Sequence, residues 1–198
     1  LEVQPRFGPA IICALAHLGG HPVAVVANQP TKLAGSIDAD AADKAAHFIM
    51  VADSFHLPLV FLADNPGMLP GSRSERSGVL RSGARMFAAQ TAATTLKLHL
   101  TLRKAFGFGS MVMSLLGFDS QVATFAYPGA TMGAMSAAAL SKAANADEDV
   151  TELLKQMELD ASFRSAGNLG FDELIAPEET RNALLLALQR GVHARQEA

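Results

Sequence analysis

An α/β fold built on a mainly parallel sheet is what this sequence predicts, and three observations predict it. Short β-branched or apolar runs alternate along the chain with longer stretches of helical spacing, the order that strand–helix–strand crossovers require. Several of the runs stop at turn residues: Asn28-Gln29-Pro30, Asp64-Asn65-Pro66-Gly67 and Tyr127-Pro128-Gly129. Apolar residues make up 49% of the 198 positions and charged residues only 18%, the balance of one buried core and not of a disordered chain.

The elements follow in order. Ala10 to Leu18 is an apolar stretch holding Cys13. Val23-Ala24-Val25-Val26-Ala27 reads as a buried strand that ends at Asn28-Gln29-Pro30. Asp38 caps a helix running through Phe55, with Ala42, Ala45, Ala46, Ile49, Met50 and Phe55 at helical spacing. Leu57 to Ala63 is too short and too continuous for a surface helix and reads as the next strand. Met68 to Ser77 is a polar loop, Gly78 to Thr94 an Ala-rich helix, and Lys97 to Leu102 alternates as a strand does. After Arg103 to Ser110 come a short apolar helix through Leu116 and a strand over Gln121 to Phe125. Helices are expected over Met132 to Ala144, over Glu148 to Ser162 and from Pro177 to Arg190. Pro177 suits a first helical turn, and Glu178 and Glu179 complement its dipole.

Composition excludes several functions. A net charge of −3 argues against a phosphate-binding surface, so no nucleic-acid partner is expected. A single cysteine, Cys13, leaves no disulfide framework and no cysteine-based zinc cluster. No run approaches the roughly 20 apolar residues of a membrane span, and no secretory pattern opens the chain. A cytoplasmic place without membrane contact is expected. The chain opens at Leu1 and runs straight into Pro5-Arg6-Phe7-Gly8-Pro9, which reads as a piece of a longer polypeptide.

The familiar phosphate-loop, nucleophile-elbow and zinc-helix motifs are missing. No two of the six histidines share helical spacing with an acidic neighbour, so metal is not expected. What remains is a set of turns at strand ends, where ligands collect in parallel sheets. The turn Phe106-Gly107-Phe108-Gly109 fits best: a strand, two glycines that permit close approach, then a helix start whose N–H groups are ready donors to an anion. The same glycines also suit a tight turn needed only for its dihedrals. Asn28 is either a hydrogen-bonding ligand group or the closure of an Asx turn before Pro30. Arg103 and Lys104 either steer an anionic tail or form a structural pair, and Arg73, Glu75 and Arg76 read as a solvated loop.

Several collinear blocks carry a resemblance. They are Val23 to Pro30 (VAVVANQP), Gly35-Ser36-Ile37-Asp38 with Asp43-Lys44-Ala45-Ala46-x-Phe48, Asp64-x-Pro66-Gly67-x-x-x-Gly71, Arg103 to Gly109 (RKAFGFG) and Gly170-Phe171-Asp172-Glu173-Leu174-Ile175-Ala176-Pro177. In this order they resemble the C-terminal half of the carboxyltransferase subunit of biotin-dependent acyl-CoA carboxylases, of the acetyl- and propionyl-CoA type. The resemblance implies a crotonase-like superhelix of ββα units with surrounding helices, residues 1–198 forming one such domain of a two-half subunit. It implies an enzyme that moves a carboxyl group between biotin, carried on a partner protein as carboxybiotin, and the α-carbon of an acyl-CoA. Backbone N–H groups of Phe108 and Gly109 would form the oxyanion hole, with Asn28, Gly67, Gly107 and Met111 in the binding site, Met111 at the position that helps select the acyl chain. The implied partners are the N-terminal half, the biotin carboxyl carrier and biotin carboxylase subunits, and further copies in a dimer or hexamer. A biotin-linked acyl-CoA decarboxylase component, or a diverged assembly domain without catalysis, are the alternatives. Two departures bear on this. Gly107-Phe108-Gly109 stands where many relatives have two glycines and an alanine, and Met135-Ser136-Ala137-Ala138-Ala139 replaces a block with a glutamate and two glycines.

Overall fold

The computed structural model describes residues 1–196. The chain starts with an antiparallel edge: β1 (Glu2–Val3), β2 (Ile11–Leu18) and β3 (His21–Asn28). The strand β2 is absent from the sequence reading, which saw only an apolar stretch. Its signal was Gly19-Gly20, both left-handed at φ 59° and 91°, which close a two-residue hairpin with Leu18 opposite His21. Helix α1 (Ala39–Ser54) begins at Asp38, whose carboxylate accepts from the Ala41 N–H at 2.9 Å, as its cap position predicts.

Strand β4 (Leu59–Asn65) runs parallel to β3 and is followed by α2 (Ser72–Arg76), a short helix inside the segment expected to be loop. Helix α3 (Val79–Ala92) packs along α1, and β5 (Lys97–Phe106) runs parallel to β4. The turn after β5 coils at once into α4 (Gly107–Val112), starting and ending earlier than expected.

On the edge away from β4, strand β5 serves two neighbours. Its first residues, Lys97 to Thr101, pair with β6 (Gln121–Ala126), and its last, Lys104 to Phe106, pair with β7 (Thr131–Gly133). The expected helix over Met132 to Ala144 is therefore corrected. Its first residues belong to β7, which ends at Gly133 (φ 156°), and α5 (Ala137–Ala144) starts only where Ser136 accepts from the Ala139 N–H. The acidic helix divides at Asp160 into α6 (Glu148–Leu159) and α7 (Ala161–Gly167). The edge strand β8 (Glu173–Leu174) pairs with β6, and a turn of 3₁₀ helix at Pro177–Glu179 leads into α8 (Thr180–Gln196).

Both faces of the sheet are covered, which is why β3 and β4 carry nearly continuous apolar runs. On one face Ala42, Ala45 and Ile49 of α1 and Met86 of α3 pack with Ile11, Val26 and Phe61 of the sheet. On the other face Leu184 and Leu188 of α8 pack with Val23, Val60, Leu98, Leu100 and Phe125. Small alanines on α1 let it sit close against its neighbours. Among the described residues no helix is long and apolar enough to cross a membrane.

One buried polar side chain gives the fold a pH dependence. His99 in β5 is fully buried; its Nδ1 donates to the Met113 carbonyl at 2.8 Å and Nε2 accepts from Thr101 Oγ1 at 2.8 Å, since a carbonyl can only accept. Burial pushes its pKa down to about 4, against a smaller upward effect of the Met113 carbonyl. The unfolded chain protonates His99 near its ordinary value of 6.5, so between that pH and about 4 the unfolded state binds more protons. Stability is therefore complete above the unfolded value and is lost as pH falls toward 4, by about 3 kcal/mol from this residue. Urea unfolding across that range is expected to show the loss, and His99→Gln to flatten it; an equal slope in the variant contradicts the assignment.

Candidate functional site

The parallel strands β3, β4 and β5 end side by side, at Asn28, Asn65 and Phe106. A bulge between Ala63 and Asn65 turns the end of β4 where it meets β5. Beyond these ends the chain must reverse without side chains in the way, which is where the glycines stand.

Asn28 Oδ1 accepts from the Asp64 N–H at 3.0 Å and from Asn65 Nδ2 at 3.1 Å, while Asn65 Oδ1 accepts from the Gly67 N–H at 3.1 Å. The Asx turn before Pro30 is thus not formed: Asn28 clamps β3 to β4. At 6% exposure it is largely buried. Its Nδ2 is buried without a partner. Gly67, at φ 123°, is tied through its carbonyl to the Ile37 N–H at 3.1 Å, and the Leu69 N–H returns to the Ile37 carbonyl.

Gly107 takes φ 55° and turns the chain from β5 into α4, with its carbonyl accepting from Ser110 Oγ at 2.7 Å. Gly109 lies against the β4 turn so closely that a Cβ there would stand 2.3 Å from Asn65 Oδ1 and 2.7 Å from Gly67 Cα. Phe108 sends its ring toward Phe87, with centroids 5.7 Å apart. Its N–H stays on the backbone of the first turn. That turn has no side-chain cap, so the N–H groups of Phe108 and Gly109 have no acceptor within the helix. Two adjacent backbone donors without acceptors can hold a developing negative charge on one oxygen.

The structure thus brings Asn28, Gly67, Gly107, Phe108 and Gly109 together. Met111 stands half-buried one turn along α4, its carbonyl accepting from Gln90 Nε2 at 3.3 Å. Arg103 follows the structural reading: its guanidinium grips Asp64 through Nη2 at 3.1 Å and Nε at 3.3 Å. Arg73 lines a separate cleft of about 710 Å³ with Leu33, Asp38, Leu69 and Pro70, and Phe108 and Gly109 are not among its walls. The diverged Met135 to Ala139 block does adjoin the turn, since the Ala134 carbonyl is 3.0 Å from where a Cβ on Gly107 would be. Ser136 there caps α5, and the Ala137 N–H donates to Glu158. The residue that sequence reasoning passed over is Asn65, read only as part of a turn; an amide side chain directly before Pro-Gly was its signal.

The family described as carboxyl transferase domain matches residues 1–197. The chain is 36% identical over 207 residues to the putative propionyl-CoA carboxylase beta chain of Bacillus subtilis (strain 168), covering 99% of this chain and 41% of that one. It is 36% identical over 210 residues to the methylmalonyl-CoA carboxyltransferase 12S subunit of Propionibacterium freudenreichii subsp. shermanii, covering 99% and 39%. The crystal structure of a transcarboxylase 12S hexamer, with methylmalonyl-coenzyme A and methylmalonic acid bound, superposes with a TM-score of 0.88 at 34% identity, over 98% of this chain and 39% of that one. The chain therefore spans about two fifths of the length of these relatives. The crotonase-like α/β architecture expected from the sequence is the architecture found.

Proposed function

The chain belongs to the carboxyl transferase domain family, and from that premise we propose that it is the biotin-side half of an acyl-CoA carboxyltransferase. The observation that carries this reading is the Phe108–Gly109 pair of uncapped N–H groups at the junction of three strand ends. The residues present fit a cyclic urea. The first turn of α4 offers donors, Gly109 lets that turn pack directly on Asn65 and Gly67, and Asn28 Nδ2 is a buried donor without a partner.

Biotin, carried on a partner protein, supplies the carboxyl group when bound. This chain's part is electrostatic and positional. The N–H groups of Phe108 and Gly109 hold the negative charge that develops on oxygen as the carboxyl group leaves, and each such donor lowers the barrier by about 2.7–4 kcal/mol. Fixed donors cost no reorganisation at that moment. Gly67 and Gly107 keep the approach to these donors open, and Met111 lies at the acyl side. No side-chain acid or base is required of this half, which agrees with the absence of such motifs. The N–H pair that holds the enolate of the acyl-CoA belongs to the N-terminal half, and the biotin carboxyl carrier and biotin carboxylase subunits complete the system. Assembly into an oligomer is supported by Val150, Leu153 and Met157, which α6 leaves exposed along one face while burying none of its own residues.

The test is the reverse reaction in the protein that carries this chain, with malonyl-CoA or methylmalonyl-CoA and free biocytin. Loss of the carboxyl group from the thioester is expected to require biocytin. Absence of turnover together with absence of biocytin binding overturns the enzyme reading in favour of an assembly domain.

A further inference from the structure

We propose that Asn65 is a positioning residue, which places the Phe108 and Gly109 N–H groups through contacts of its carboxamide; the inference rests on the function proposed above. Asn65 is 0% exposed and touches no surface, so it acts only through neighbours. Both ends of its amide are committed: Nδ2 to Asn28 Oδ1, and Oδ1 to the Gly67 N–H. The orientation is not free, because the Asp64 and Gly67 backbone donors each need an oxygen facing them. On this fixed oxygen rests the first turn of α4, whose Gly109 has room for hydrogen only between itself, Asn65 Oδ1 and Gly67. The six-residue helix has no cap of its own, and Gly107 before it is left-handed. Its place is therefore set by what it lies on. An apolar side chain at position 65 would fill the volume yet leave the Gly67 N–H buried without an acceptor.

Two substitutions test this in the protein that carries the chain. Asn65→Asp keeps shape and the acceptor for Gly67 but gives up the donor to Asn28 Oδ1 and sets a negative charge against Gly109, and Asn65→Ser removes the bridge. With no ligand present, hydrogen exchange at the Met111 and Val112 amides, which bond back onto the first turn of α4, is expected to quicken in Asn65→Ser while Leu98 to Leu100 stay protected. In turnover, Asn65→Asp is expected to lower kcat about 100-fold near pH 8 with KM for the acyl-CoA unchanged, and to regain activity as acid neutralises the introduced carboxyl. A merely structural role would lower activity in proportion to folded protein and leave the pH profile as in wild type. Folded variants with wild-type exchange at Met111 and Val112 overturn the proposal. A wild type without biocytin-dependent turnover overturns the function, and the exchange measurement then still decides the role of Asn65.

Discussion

Gly109→Ala is expected to lower kcat for carboxyl transfer by about 10²- to 10³-fold in a protein that still folds. The added methyl would stand 2.3 Å from Asn65 Oδ1, 2.7 Å from Gly67 Cα and 2.8 Å from the Gly67 carbonyl carbon. None of these can yield alone. Gly67 is backbone tied to Ile37, and Asn65 is hydrogen-bonded on both sides. The first turn of α4 must lift away instead, taking both N–H groups off their target. The loss of one donor from such a pair is worth about 2.7–4 kcal/mol of barrier, which sets the magnitude. Steady-state kinetics at saturating biocytin, with circular dichroism to certify the fold, measure it. Gly117→Ala is the control, because nothing lies within 4 Å of a Cβ there. Equal kcat in Gly109→Ala and wild type contradicts the site.

The second large effect concerns stability. Gly35→Ala is expected to cost about 2–5 kcal/mol, from the left-handed backbone and from overpacking together. Gly35 takes φ 86°, and its Cβ would meet the Asp64 carbonyl oxygen at 2.3 Å. Leu33 and Ala34 before it are already left-handed at φ 50° and 53°, so the segment has no relaxed neighbour to absorb the displacement. Because Asp64 adjoins Asn65, part of the strain is expected to reach the site as a lower kcat. A urea midpoint that falls with an unchanged m-value is the predicted result; a midpoint equal to wild type contradicts it.

Much of this frame was legible. The strands β3 and β4 announce themselves through continuous apolar runs that stop at turn residues, β5 through the alternation of Lys97 to Leu102, and α1 through Asp38 at its cap. The Gly107-Phe108-Gly109 turn was legible because a strand, two glycines and a helix start leave few geometries. The hairpin strand β2 was not, since its outer half, Leu15 to His17, is exposed and breaks the alternation that marks a half-buried strand. The three residues of β7 were hidden in an Ala-rich context of helical propensity; pairing with β5 overrides it. Least legible was the Asn28–Asn65 bond, which joins positions 37 apart and has no local signature. Its effect on Gly109, further along still, follows only from where three strands end.

The measurement that bears most directly on the account is the fate of an isotopically labelled carboxyl group. Methylmalonyl-CoA or malonyl-CoA labelled there is given to the protein that carries this chain, with free biocytin as acceptor. The account predicts label recovered on biocytin in step with the loss of carboxyl from the thioester, and neither change when biocytin is left out. Carboxyl lost at one rate with and without biocytin, with all the label released as carbon dioxide, would contradict it.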